Sequence, residues 1–102
     1  MSEAKSNRSL EGKVALLTGA VRRNGLAAAQ ALARDGASIV INTRKSVDEG
    51  KAAVESIKKL GGKAILVKAD ITNEKQVKAM FKKAVDTFGS LDILVNLSLI
   101  HI

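Results

Sequence analysis

Short apolar runs alternate with longer amphipathic stretches along most of the chain. Val14, Ala15, Leu16 and Leu17 form an unbroken apolar run, the length of a strand covered on both faces, as in a parallel sheet. Residues 26–34 are alanine-rich and hold no β-branched residue, which suits a helix. Asp35-Gly36 offers a stop, and residues 37–44 (ASIVINTR) read as a second strand. Residues 46–60 predict a second helix, capped at Ser46, with Val47, Val54 and Ile57 toward a sheet and Gly61-Gly62 as its stop. Ala64 through Val67 is a third buried strand. The clearest periodicity follows: Val77, Met80, Phe81, Ala84, Val85 and Phe88 recur at three- and four-residue steps and make one apolar stripe. That helix starts near Asn73 and stops at Gly89, and residues 91–96 (LDILVN) supply a fourth strand.

Strands alternating with helices predict an α/β domain with a parallel sheet. Right-handed crossovers then give the strand order 3-2-1-4, with ligands at the carboxyl ends of strands 1 and 4. Met80 and the two phenylalanines are core in this arrangement, and strand 4 is an apolar edge.

The chemistry gathers at those carboxyl ends. Between strand 1 and the first helix lies Thr18-Gly19-Ala20-Val21-Arg22-Arg23-Asn24-Gly25. Gly19 can take the positive φ that ends a strand sharply, and Gly25 removes a Cβ that would hold helix and strand apart. Amides at the helix start then face an anion, aided by the helix dipole. A pyrophosphate fits that description, although an ordinary strand-to-helix turn has the same glycines. About twenty residues further on, where a dinucleotide fold meets the adenosine ribose, strand 2 ends in Thr43, Arg44 and Lys45. An acidic residue there would bind a ribose 2′-hydroxyl and repel a 2′-phosphate. Threonine and two cations instead suit the 2′-phosphate and favour NADP(H) over NAD(H), unless Arg44 is simply solvated. Asp70 stands at the end of strand 3, where its carboxylate can accept from an adenine amino group or serve the start of the next helix.

With these residues in place the chain resembles the short-chain dehydrogenase/reductase family, over residues 10–96. The resemblance rests on LEGKVALLTG at 10–19, on Asp70-Ile71-Thr72, and on GSLDILVN at 89–96. It implies a Rossmann-type doubly wound parallel sheet, here partial, and NAD(P)-dependent carbonyl reduction by hydride transfer. The family's loop is T-G-x-x-x-G-x-G, and this chain places Arg23 where the middle glycine belongs, as pteridine-reductase-like and enoyl-reductase-like members do. The resemblance assigns cofactor contacts to Gly19, Ala20, Val21, Arg22, Arg23, Asn24 and Gly25, to Thr43 and Arg44, to Asp70 and Ile71 at the adenine, and to Asn96 beside the dinucleotide. The matching asparagine in the family opens an Asn-Asn-Ala-Gly turn, whereas here Asn96 is followed by LSLIHI. Residues 97–102 are therefore expected to be a non-family tail, and Ser98 and His101 are not assigned a catalytic role. Residues 1–9, polar throughout most of their length, are expected to be a disordered leader to the domain.

Composition narrows the function. The family's proton donor is a tyrosine supported by a lysine and a serine, and this sequence of 102 residues contains no tyrosine. No catalytic residue is assigned, and the chain is expected to be the cofactor-binding fragment of a longer enzyme. Its carbonyl substrate, small or carrier-bound, with a 3-oxoacyl thioester the first choice, belongs to a full-length parent expected to be a homo-oligomer. The alternatives are a non-catalytic nucleotide-binding or regulatory module, and a methyltransferase-like relative. The arginines speak against the latter, since its cofactor brings no phosphate. Cysteine is absent, which removes disulfides, a thiol nucleophile and cysteine metal sites. No apolar stretch approaches a membrane span, and a cytoplasmic location is expected. The net charge of +7 comes largely from lysines dispersed among acids, and there is no tryptophan or tyrosine to stack on bases, so no nucleic-acid partner is expected.

Overall fold

The computed structural model describes residues 9–19 and 23–96. Its elements are β1 (Val14–Thr18), α1 (Arg23–Arg34), β2 (Ser38–Thr43), α2 (Val47–Lys59), β3 (Ala64–Lys68), α3 (Glu74–Phe88) and β4 (Ile93–Asn96). The four strands are all parallel, in the order β3-β2-β1-β4. Leu16 lies level with Val40 on one side and Leu94 on the other, so every strand delivers its carboxyl end to the same rim. The predicted α/β class, Rossmann-type topology and strand order are all present.

Each strand's apolar run is explained by a two-sided core. Ala15, Leu17, Ile39 and Ile41 face a cluster with Ala29 and Ala33 of α1 and Ala53 and Ile57 of α2. Val14, Leu16 and Val40 face the other way, onto Met80 and Ala84 of α3. Helix α2 approaches the sheet closely at Gly50, where a Cβ would stand 2.5 Å from Leu66 Cδ1. A larger residue there would push the helix outward.

Boundaries differ from expectation where polar residues take part in regular structure. Helix α1 begins at Arg23, three residues before its apolar pattern, because a helix start needs no buried face. Ser46 makes no side-chain cap for α2. Its own N–H instead donates to Thr43 Oγ1 at 3.0 Å, and the turn is held from the strand side. Asn73 does cap α3, accepting from Gln76 N at 3.1 Å, and Gly89 closes that helix with its N–H on the Val85 carbonyl. Val85, placed in the apolar stripe by spacing, is 44% exposed, because α3 meets the sheet along the narrower line of Met80 and Ala84. The lysines at 51, 58, 59, 75, 78, 82 and 83 are all exposed. Among the described residues no helix is long and apolar enough to cross a membrane.

Candidate functional site

Strand ends and the turns that leave them build the site at the carboxyl rim. Gly19 leaves β1 with φ of +71°, a left-handed conformation that favours glycine. Its N–H donates to the Asn42 carbonyl at 3.1 Å, so the start of the glycine turn is tied to β2. Ala20, Val21 and Arg22 lie outside the described residues, as do the side chains of Arg23 and Asn24, whose backbone forms the first turn of α1. Gly25, in the same turn, is buried, in keeping with a close approach of helix to strand.

Strand β2 ends in two residues with opposite fates. Thr43 is 5% exposed and its hydroxyl is engaged with the Ser46 amide, so it orders the turn. Arg44, the next residue, has a side chain 66% exposed, and its Nε lies 3.7 Å from Asp70 Oδ2 at the end of β3. The remaining Asp70 oxygen, Oδ1, accepts from both the amide and the hydroxyl of Thr72, at 2.9 and 2.7 Å. The Asp70 amide itself donates to Gln76 Oε1 at 2.7 Å. The Thr72 hydroxyl first and then its amide hold the Asp70 carboxyl below the usual carboxylate range, opposed by desolvation, with Arg44 adding the smallest lowering. Asp70 is thus a preset anion beside a cation, and Asn73, not Asp70, caps α3. Ile71, exposed at 37%, stands next to it as an apolar surface for a ring.

The fourth corner is Asn96, whose Oδ1 accepts from Thr18 Oγ1 at 2.8 Å across the β1–β4 pair. This contact ties the tips of β1 and β4 together. A recess of about 180 Å³ runs between Thr18, Ile71, Met80, Leu94 and Asn96, smaller than a site that would enclose a whole dinucleotide. A larger cavity, about 430 Å³, lies at the opposite rim among Glu11, Gly12, Gly36, Gly61, Gly62 and Lys63. Its lining includes Glu11, Ser38 and Lys63, but it lies at the amino ends of the strands, away from the glycine turn.

Reading the sequence missed Asn42. Its side chain, 3% exposed in total, donates through Nδ2 to the carbonyls of Val67 at 3.3 Å and Ala69 at 3.1 Å. The available signal was an amide in the otherwise apolar run Ile39-Val40-Ile41-Asn42, since a buried polar group must find partners. The structure therefore brings together Gly19, Arg44, Asp70, Ile71 and Asn96 around one rim, with Thr43 beneath it. Among the described residues no group of three His, Cys, Asp or Glu could hold a metal. The arrangement presents cationic, anionic and apolar surfaces in sequence.

A family model described as short chain dehydrogenase matches residues 13–98. Similar proteins include an uncharacterised oxidoreductase of Methylorubrum extorquens, 49% identical over 85% of this chain and 35% of its own length. Elsinochrome reductase 1 of Elsinoe fawcettii is 46% identical over 92% of this chain and 35% of its own. Among solved structures, a hydroxysteroid dehydrogenase from Escherichia coli superposes with TM-score 0.82 at 37% identity, covering 90% of this chain and 39% of that one. A dehydrogenase/reductase from Sinorhizobium meliloti gives TM-score 0.86 at 32% identity, with 94% and 38% covered. The chain spans about a third of the length of the curated relatives it matches.

Proposed function

The chain belongs to the short-chain dehydrogenase family, and from that premise we propose that it is the dinucleotide-binding part of an NADP(H)-dependent carbonyl reductase. The observation that carries the cofactor choice is the tip of β2. There an exposed arginine follows a buried, hydrogen-bonded threonine, and no acidic side chain occupies the tip itself. A 2′-phosphate would meet the Arg44 guanidinium, whose contact with Asp70 uses the inner nitrogen Nε. Adenine would lie against Ile71, its amino group on the Asp70 carboxylate. The pyrophosphate would sit at the Gly19–Gly25 turn and the start of α1. Asn96, held by Thr18, would border the ribose.

When bound, the cofactor supplies hydride to a carbonyl carbon. The residues of this chain bind and orient; they provide no tyrosine to donate the proton. The chain alone is accordingly a binding module, and reduction belongs to the longer parent. Relatives named as reductases support reduction as the direction of the chemistry. For the substrate, a 3-oxoacyl thioester on an acidic carrier is our first choice, supported by the excess of exposed lysines. Titration of the chain with NADPH and NADH, followed by nucleotide fluorescence, tests the assignment. Tighter binding of NADPH is expected, and tighter binding of NADH would overturn it.

A further inference from the structure

We propose that Asn42 is the positioning residue of the nucleotide site, holding the chain that leaves β3 so that the Asp70 carboxylate stands against Arg44. The inference rests on the reading that Arg44 and Asp70 receive the adenosine end. The regular β2–β3 pairing ends at Thr43 and Lys68. One residue later, Ala69 is still held twice: its N–H donates to the Thr43 carbonyl at 3.0 Å, and its carbonyl accepts from Asn42 Nδ2 at 3.1 Å. Asp70 is the next residue, so the amide of Asn42 extends the ladder to the point from which that carboxylate projects.

Both acceptors of the carboxamide are backbone carbonyls, at Val67 and Ala69, so the nitrogen and not the oxygen must face them. An ionised aspartate offers no donor, a serine offers one hydrogen, and a leucine offers none. Only asparagine joins two donors to so short an arm at a buried strand position. The same residue also serves the other half of the site. Its main-chain carbonyl accepts from the Gly19 amide at 3.1 Å, and this contact survives a change of side chain. Substitution at Asn42 therefore separates the two halves: the glycine turn keeps its tie, while the adenosine end loses the side-chain bonds and keeps only the Ala69 N–H on the Thr43 carbonyl.

The test uses the 102-residue chain, the variants Asn42→Leu and Asn42→Ser, and three probes: NADPH, NADH and the hypoxanthine analogue of NADPH, which lacks the adenine amino donor. Wild type is expected to prefer NADPH over the hypoxanthine analogue about tenfold, the size of one hydrogen bond to a charged acceptor. In the variants that preference is expected to fall to within about twofold, a ratio that general loosening of the fold does not change. Hydrogen exchange of the Ala69 amide gives a reading that needs no nucleotide, and it is expected to quicken in both variants as the end of β3 loosens. A folded variant with unchanged adenine preference and unchanged exchange at Ala69 would overturn the proposal. Loss of the fold in both variants would also overturn it, because Asn42 would then serve the core alone. If wild type binds none of the nucleotides, the function proposed above fails, and the exchange at Ala69 still decides the role of Asn42.

Discussion

Strands β1 and β4 lie side by side in one sheet, yet they occupy different physical environments. Every residue of β1 is buried, whereas β4 alternates between half-buried and exposed, with Leu94 58% exposed. Pairing and cover account for the difference: β1 is paired on both edges and covered on both faces, while among the described residues β4 pairs with β1 alone. Similar apolar composition thus yields a rigid centre in one strand and an open flank in the other. The cofactor site proposed above, at the tips of β1, β2 and β3, adjoins that buried centre.

The largest effect should come from cutting into that centre. Leu16 is fully buried between Val40 and Leu94, and Leu16→Ala should cost about 2–5 kcal/mol of stability in denaturant unfolding. The matching Leu94→Ala should cost less than about 1 kcal/mol, because little of that side chain leaves water. Equal losses would mean that β4 is as well covered as β1. Next in size, Arg44→Asp should weaken NADPH binding by about 1–3 kcal/mol with unfolding unchanged, as read by paired titration and melting. That result would separate the recognition rim from the core beneath it. Gly50→Ala should lower stability by about 1–2 kcal/mol, since the added methyl meets Leu66. A stabilised variant would show that α2 can shift without cost. Leu94→Lys should leave the melting transition in place while reducing self-association at high concentration, measured by sedimentation, if the uncovered flank of β4 is the contact surface.

The smallest effect concerns pH at the start of the same strand pair. Asp92 Oδ2 accepts from the Val14 amide at 2.9 Å and from Ser90 Oγ at 2.8 Å. The Val14 amide, then Ser90, and to a lesser degree Lys13 hold its carboxyl below the ordinary value of 3.8. A carboxyl whose folded value lies below its unfolded one contributes its full stabilisation above about pH 4 and loses it as pH falls through the folded value. The β1–β4 junction should therefore be insensitive to pH from neutrality down to that point and weaken below it. Asp92→Asn should flatten the acid limb of a melting-temperature profile and lower its neutral plateau.

Much of this architecture was legible because burial on both faces leaves an apolar signature. The runs 14–17 and 64–67 and the stripe through Met80 and Ala84 each mark a surface that must leave water, and parallel order follows from the helices between strands. The glycine turn and the cationic tip at Arg44 were legible from residue types whose chemistry is local. Contacts that depend on tertiary neighbours were not. Nothing in spacing says that Thr43 would hold the Ser46 amide, that Thr18 would reach Asn96, or that Asn42 would hold the end of β3. Val85 fits the helical period as well as Ala84 does; its exposure follows from α3 meeting the sheet along Met80 and Ala84.

The hydrogen bond from Thr18 to Asn96 joins residues 78 positions apart. Strand β2 can assemble on β1, and β3 on β2, through nearby crossovers as soon as each emerges from the ribosome, but among the described residues the other flank of β1 has no partner until synthesis has passed residue 96. Closing that long loop carries a larger entropic cost than either crossover. A nascent chain consequently exposes a bare strand edge until the fourth strand arrives, and a peptide or chaperone able to cap that edge has its window before then.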